Sequence, residues 1–137
     1  IALSATALSN NLSALALSPE IRPRVMQRTR SYIRQGFPIL QEWMGEQDGL
    51  FSVNPPGAAA IAFVRYHAEV NSTVFAERLL REKSVLIVPG DQFDVDYHLR
   101  ISYGLPEDYL KTGLARIREL FEEFREERSE TVISETV

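Results

Sequence analysis

From His98 to Tyr103 apolar and polar side chains alternate without a break, with Leu99, Ile101 and Tyr103 on one side and His98, Arg100 and Ser102 on the other. That period of two predicts a strand with one buried face, covering residues 97–103. Shorter apolar runs bounded by turn residues predict further strands over 50–53, 58–66 and 85–88. A period near 3.6 takes over elsewhere. Leu110, Leu114, Ile117, Phe121 and Phe124 recur at spacings of four and three, which predicts a closing amphipathic helix from about Pro106. Val74, Phe75 and Leu79 mark a helix over 72–82, with Ser72 as its capping hydroxyl. Upstream, Ser18-Pro19-Glu20 reads as the start of a long helix that places Ile21, Val25, Ile33, Phe37, Leu40 and Met44 on or near one stripe. Gly36 and Pro38 interrupt it and predict a kink, because proline lacks the backbone donor and crowds the preceding turn.

The order of elements predicts an α+β fold in two layers, a sheet of three or four strands packed against helices and preceded by a long, kinked interdomain helix. We divide the chain into a helical segment at 1–45, a small domain at 46–130 and a tail at 131–137. The tail is expected to fray, because SETVISETV carries no stripe past Arg128. The uncharged first helix presents Leu8, Leu12 and Leu15 on one face and is expected to bury them. Lacking a basic leader segment and any apolar run near ~20 residues, it reads neither as a secretory signal nor as a membrane span.

Several motifs between Pro55 and Leu120 fall in the order seen in the small C-terminal domain of class I/II aminotransferases, the fold type I enzymes that use pyridoxal phosphate. PPGAAAIAFVRY (55–66) resembles the family's proline, glycine and apolar strand. FAERLLREKSVLIVPGDQF (75–93) resembles its helix, strand and Pro-Gly…Phe turn. HLRIS (98–102) resembles the strand whose arginine grips the substrate α-carboxylate. The resemblance implies that Arg100 binds the substrate carboxylate and that Gly57 and Ala58 line the substrate cleft. It implies amino-group transfer between an amino acid and a 2-oxo acid, pyridoxal 5'-phosphate in the whole protein, an N-terminal large domain outside this chain, a homodimer, and a cytoplasmic location. Other reactions of the same fold type (lyase, decarboxylase, synthase) are the alternative, as is a noncatalytic interaction or effector-sensing module.

The residues alone allow that role and also a plainer one: a planar fork on a rigid strand can receive a carboxylate through two parallel hydrogen bonds, and an ordinary solvated strand face is the alternative. The lysines point the other way. Only Lys83 and Lys111 stand against thirteen arginines, and neither has the desolvating or cationic setting that a cofactor-bonding lysine needs. The segment by itself is therefore expected to be inactive and to bind no cofactor.

Composition narrows the rest. With 45% hydrophobic and 25% charged residues, 137 residues suit one folded domain, and the absence of cysteine excludes disulfide and thiolate chemistry. Asp91, Asp94, Asp96 and His98 have metal-ligand chemistry but not the spacing of a calcium loop, and read as a solvated acidic turn. Arginines 22, 24, 28, 30 and 34 crowd the long helix, but the net charge of −4 and the lack of interleaved aromatics argue against a nucleic-acid surface. His67 ends a strand with no nucleophile or carboxylate placed beside it by sequence.

Overall fold

The computed structural model describes residues 6–135, and the side chains of residues 6–127. In chain order its elements are α1 (Ala7–Ala16), α2 (Arg22–Gly45), β1 (Phe51–Val53), β2 (Ile61–Tyr66), α3 (Ser72–Lys83), β3 (Val88–Pro89), a 3₁₀ turn (Gly90–Phe93), β4 (His98–Ser102) and α4 (Glu107–Glu135). The strands form one four-stranded sheet in the order β1-β2-β4-β3, and every neighbouring pair is antiparallel. Because α3 carries the chain from β2 to β3 over one face, β4 enters last and fills the gap between them. The α+β, two-layer architecture expected from the sequence is the one observed, with four strands.

Register sorts the side chains. Val64 lies opposite Leu99, Ala62 opposite Ile101 and Phe51 opposite Tyr66, and all six are buried. Their face is covered by Leu40, Trp43 and Met44 from the end of α2, Phe75 and Leu79 from α3, and Leu110, Leu114, Ile117, Leu120 and Phe121 from α4. Phe121 is the hub: its ring stacks on Phe75 at 4.2 Å and meets Phe51 edge-on at 5.0 Å and Tyr66 at 5.2 Å. Arg78 joins α3 to α4, taking Glu127 at 2.9 and 2.6 Å, Glu82 at 2.9 Å, and lying 4.6 Å over the Phe124 ring. These carboxylates push its pKa up, the Glu127 and Glu82 hydrogen bonds contributing most.

Several boundaries differ from the sequence reading. The long helix begins at Arg22 rather than at Pro19, with Pro23 in its first turn; residues 17–21 form turns in which the Ser18 carbonyl accepts from the N–H groups of Ile21 and Arg22. It runs without a break past Pro38. Gly36 serves packing: a Cβ there would overlap the Tyr103 carbonyl, so only glycine lets α2 approach the end of β4 this closely. The cap of α3 is Asn71, whose side-chain oxygen accepts from the N–H groups of Thr73 and Val74 at 3.0 and 3.2 Å, while Ser72 is fully buried one position further on. The helix α4 continues through Glu135, into the stretch expected to fray; residues 136–137 lie outside the described residues.

The leucines of α1 depart most from expectation. Leu8, Leu12 and Leu15 are 69%, 56% and 55% exposed, and none of the residues of α1 is buried among the described residues.

Candidate functional site

The face of the sheet opposite the core is exposed to half-buried among the described residues, and it carries the residues with chemistry. On β4 these are His98, Arg100 and Ser102; on β2, Ile61, Phe63 and Arg65; on β1, Ser52. Arg100 stands on an inner strand, with Phe63 opposite it on one side and Val88 on the other. Its side chain is half-buried, and among the described residues its guanidinium makes no hydrogen bond or ion pair. An arginine fork flanked by apolar neighbours and left unpaired is poised for a carboxylate from outside the chain.

Aromatic rings flank that arginine. The Phe63 ring stacks on His98 at 4.8 Å and 14° and takes Phe93 edge-on at 6.0 Å. Phe93 comes from the 3₁₀ turn that follows Pro89, where Gly90 is needed because a Cβ would collide with the Val95 carbonyl and with His98.

The acidic residues of the turn have a structural use that the sequence reading missed. Asp96 accepts from the Ser72 N–H at 2.8 Å, the Asn71 amide at 2.9 Å and its neighbour Tyr97 N–H at 2.6 Å. Asp91 accepts from the Thr73 hydroxyl at 2.6 Å and the Asn71 amide at 3.2 Å, and its own N–H donates to the Ser72 hydroxyl at 3.1 Å. Both carboxylates thus sit at the N-terminus of α3, where unsatisfied N–H groups and the helix dipole favour negative charge. Burial pulls the Asp96 carboxyl upward, but hydrogen bonds from Ser72, Tyr97 and Asn71 outweigh it and hold the group below the usual carboxylate range. Tyr66, beneath them, donates to the Val70 carbonyl at 2.6 Å; burial first, and then Asp96, Tyr97 and Asp91, push its phenol far up. The signal in the sequence was Asn71-Ser72-Thr73, three consecutive capping residues that meet two of the turn's aspartates, Asp91 and Asp96.

Among the described residues no three histidine or carboxylate side chains gather to hold a metal ion. His98 Nδ1 lies 2.8 Å from the Asp96 carbonyl, so that nitrogen carries the proton. His67 is exposed, 3.5 Å from the Ser52 hydroxyl, on the rim of an open cleft of about 820 Å³ that Arg65, Tyr97 and Arg125 also line. Gly57 and Ala58 are exposed in the loop between β1 and β2, and line neither that cleft nor the shallow groove along α2. The same loop reaches the end of β4, where Ala59 accepts the Tyr103 hydroxyl at 2.8 Å and Ala60 the Tyr103 N–H at 2.8 Å.

Both lysines are paired with carboxylates of α4. Lys83 donates to Glu123 at 2.5 Å with Glu119 at 3.7 Å, and Lys111 donates to Glu107 at 2.6 Å. The Glu123 and Glu107 hydrogen bonds raise their respective pKa values, whereas a lysine that must act as a nucleophile needs its pKa lowered.

Residues 2–117 match the family model of aminotransferases class I and II, and the chain belongs to that family. It is 30% identical over 122 residues to capreomycidine synthase of Streptomyces vinaceus, covering 87% of this chain and 30% of that protein. It is 29% identical over 121 residues to aspartate aminotransferase of Streptomyces avermitilis, covering 88% of this chain and 29% of that protein. A pyridoxal-phosphate-dependent aminotransferase from Streptococcus suis superimposes with a TM-score of 0.76 at 25% identity, over 86% of this chain and 31% of the other. The chain thus spans about a third or less of the relatives it matches. No helix among the described residues is long and apolar enough to cross a membrane.

Proposed function

We propose that the chain is the small domain of a pyridoxal-phosphate-dependent aminotransferase, and that Arg100 receives the substrate α-carboxylate. One observation carries this reading: a half-buried guanidinium with no partner among the described residues, held on an inner strand of an otherwise open sheet face. The fork would hold the carboxylate by two charge-assisted hydrogen bonds and fix the orientation of the α-carbon, with Phe63 opposite it on the neighbouring strand. When bound, the cofactor supplies the electron sink for amino-group transfer, and the groups that hold it belong to an N-terminal large domain outside this chain. Gly57 and Ala58 lie on the loop that reaches the end of the same strand, and a substrate can approach such small residues closely. The segment alone is catalytically silent on this reading, because neither of its lysines is placed for the cofactor. We assign the whole protein to the cytoplasm and to a homodimer by the same family analogy.

In the full-length enzyme, Arg100→Ala should lower kcat/KM for the amino acid by about 1.5–3 kcal/mol, the range for hydrogen bonds to a charged group, or roughly 10- to 150-fold. Arg100→Lys should recover only part of this, because a point charge cannot make the paired contact. The corresponding amine without its carboxylate should be used equally by all three. Unchanged kinetics in Arg100→Ala would remove the assignment.

A second reading has its own support, since one relative is named a synthase. The open face would still hold a carboxylate under that chemistry. Incubating the full-length protein with an amino acid and a 2-oxo acid separates the two: appearance of the partner amino acid marks a transaminase.

A further inference from the structure

We propose that Asp96 is a positioning residue for Arg100, a role that rests on the substrate-carboxylate reading and deepens it. Three observations converge on this one side chain. Its carboxylate ties the turn before β4 to the N-terminus of α3 through the Ser72 N–H and the Asn71 amide. Its backbone carbonyl fixes the His98 ring, which stacks on Phe63, the residue opposite Arg100. The third is strain. Tyr97, the last residue before β4, has φ of 59°, a left-handed conformation that a bulky side chain adopts only when its surroundings impose it. What imposes it is visible: the Tyr97 N–H is held by Asp96 at 2.6 Å, and its carbonyl accepts from the Tyr66 N–H at 2.9 Å.

Asp96 therefore sets the angle at which the chain enters β4, and Arg100 stands four residues further on. Loosening that entry leaves the sheet and its core intact, since Leu99 and Ile101 are anchored on the opposite face by α3 and α4. It shifts the outward face of the strand by a fraction of an ångström, which is the scale at which a two-bond carboxylate clamp loses strength. Asp91 contributes to the same junction through Thr73 and Asn71, and its side-chain hydrogen bonds do not reach Tyr97 or His98.

The test is a double-mutant cycle in the full-length enzyme, normalised to the concentration of active sites. Asp96→Asn keeps the oxygen that accepts from Ser72 and Tyr97 but sets an amide donor against the Asn71 amide, so the turn is displaced without losing its volume. Asp96→Asn should lower kcat/KM about tenfold, mainly through KM, when Arg100 is present, and should cost nothing further in an Arg100→Ala background. A role in stability alone would lower the melting temperature and the active fraction while leaving KM of the remaining enzyme unchanged; that result, or an equal proportional loss in both backgrounds, overturns the proposal. Should Asp96→Asn fail to fold, Asn71→Ser retains a helix cap and removes the amide bonds to both aspartates, and it should show the same coupling at smaller amplitude. An Arg100→Ala enzyme with wild-type kinetics overturns the carboxylate assignment and the Asp96 role together, whereas a large Arg100 effect with additive Asp96 losses overturns the second alone.

Discussion

Arg100 and Asp96 show how differently two charged side chains can be used a few residues apart. The guanidinium has apolar neighbours and no partner among the described residues, while the carboxylate accepts from Asn71 and Ser72 at the start of α3 and from Tyr97. A carboxylate that is hydrogen-bonded in the folded state and free in the unfolded one makes stability depend on pH. Since the folded pKa of Asp96 is depressed, its contribution is fully present above the unfolded value of about 3.9 and is lost as pH falls through the folded value. Melting curves recorded between pH 7 and pH 2 should accordingly show a shallower acid limb for Asp96→Asn than for the wild type; parallel limbs would mean that the carboxylate contributes nothing that titrates.

Among the elements, α2 and α4 offer matched tests of what a glycine is for. Gly36 lies where α2 meets the Tyr103 backbone, and Gly113 lies in α4 with nothing within 4 Å of where a Cβ would stand. Gly36→Ala should destabilise by about 1–3 kcal/mol, because the helix must move away from the strand end. Gly113→Ala should stabilise by about 0.5–1 kcal/mol, since glycine in a helix interior loses more conformational freedom on folding than alanine. Urea denaturation of both variants measures the contrast, and equal midpoints would contradict the packing role of Gly36. The element boundaries that moved between sequence and structure have similar local causes. Ser72 looked like a cap by residue type, but Asn71 precedes it and reaches two N–H groups, and the hydroxyl of Ser72 is left to accept from Asp91.

At the scale of the whole chain, one sheet face is covered by α2, α3 and α4, the other is open, and α1 extends its leucines into solvent. An exposed leucine contributes little to the fold it stands on. Leu12→Glu should therefore leave the stability of this chain within about 0.5 kcal/mol of wild type by urea titration. A larger loss would mean that α1 packs on the rest of the chain in solution. If the proposed function holds, these surfaces would meet the rest of the enzyme, and a polar substitution on α1 would be felt there rather than in this segment.

Much of this was legible from residue order, and the reasons are physical. The strict alternation from His98 to Tyr103 determined which side of β4 is buried, because the pleat leaves only two faces, and the four-three spacing from Leu110 to Phe121 determined the core face of α4 for the same kind of reason. The family and the arginine candidate could be read from HLRIS and the Pro-Gly…Phe turn. What the period along a chain does not carry is which distant elements meet. That Asp91 and Asp96 would spend their charge on the start of α3, that β4 would insert between β2 and β3, and that the leucines of α1 would stay exposed among the described residues were all decided by tertiary packing. Each depends on contacts between residues far apart in sequence, where local preference is silent and only the assembled surface determines what a side chain faces.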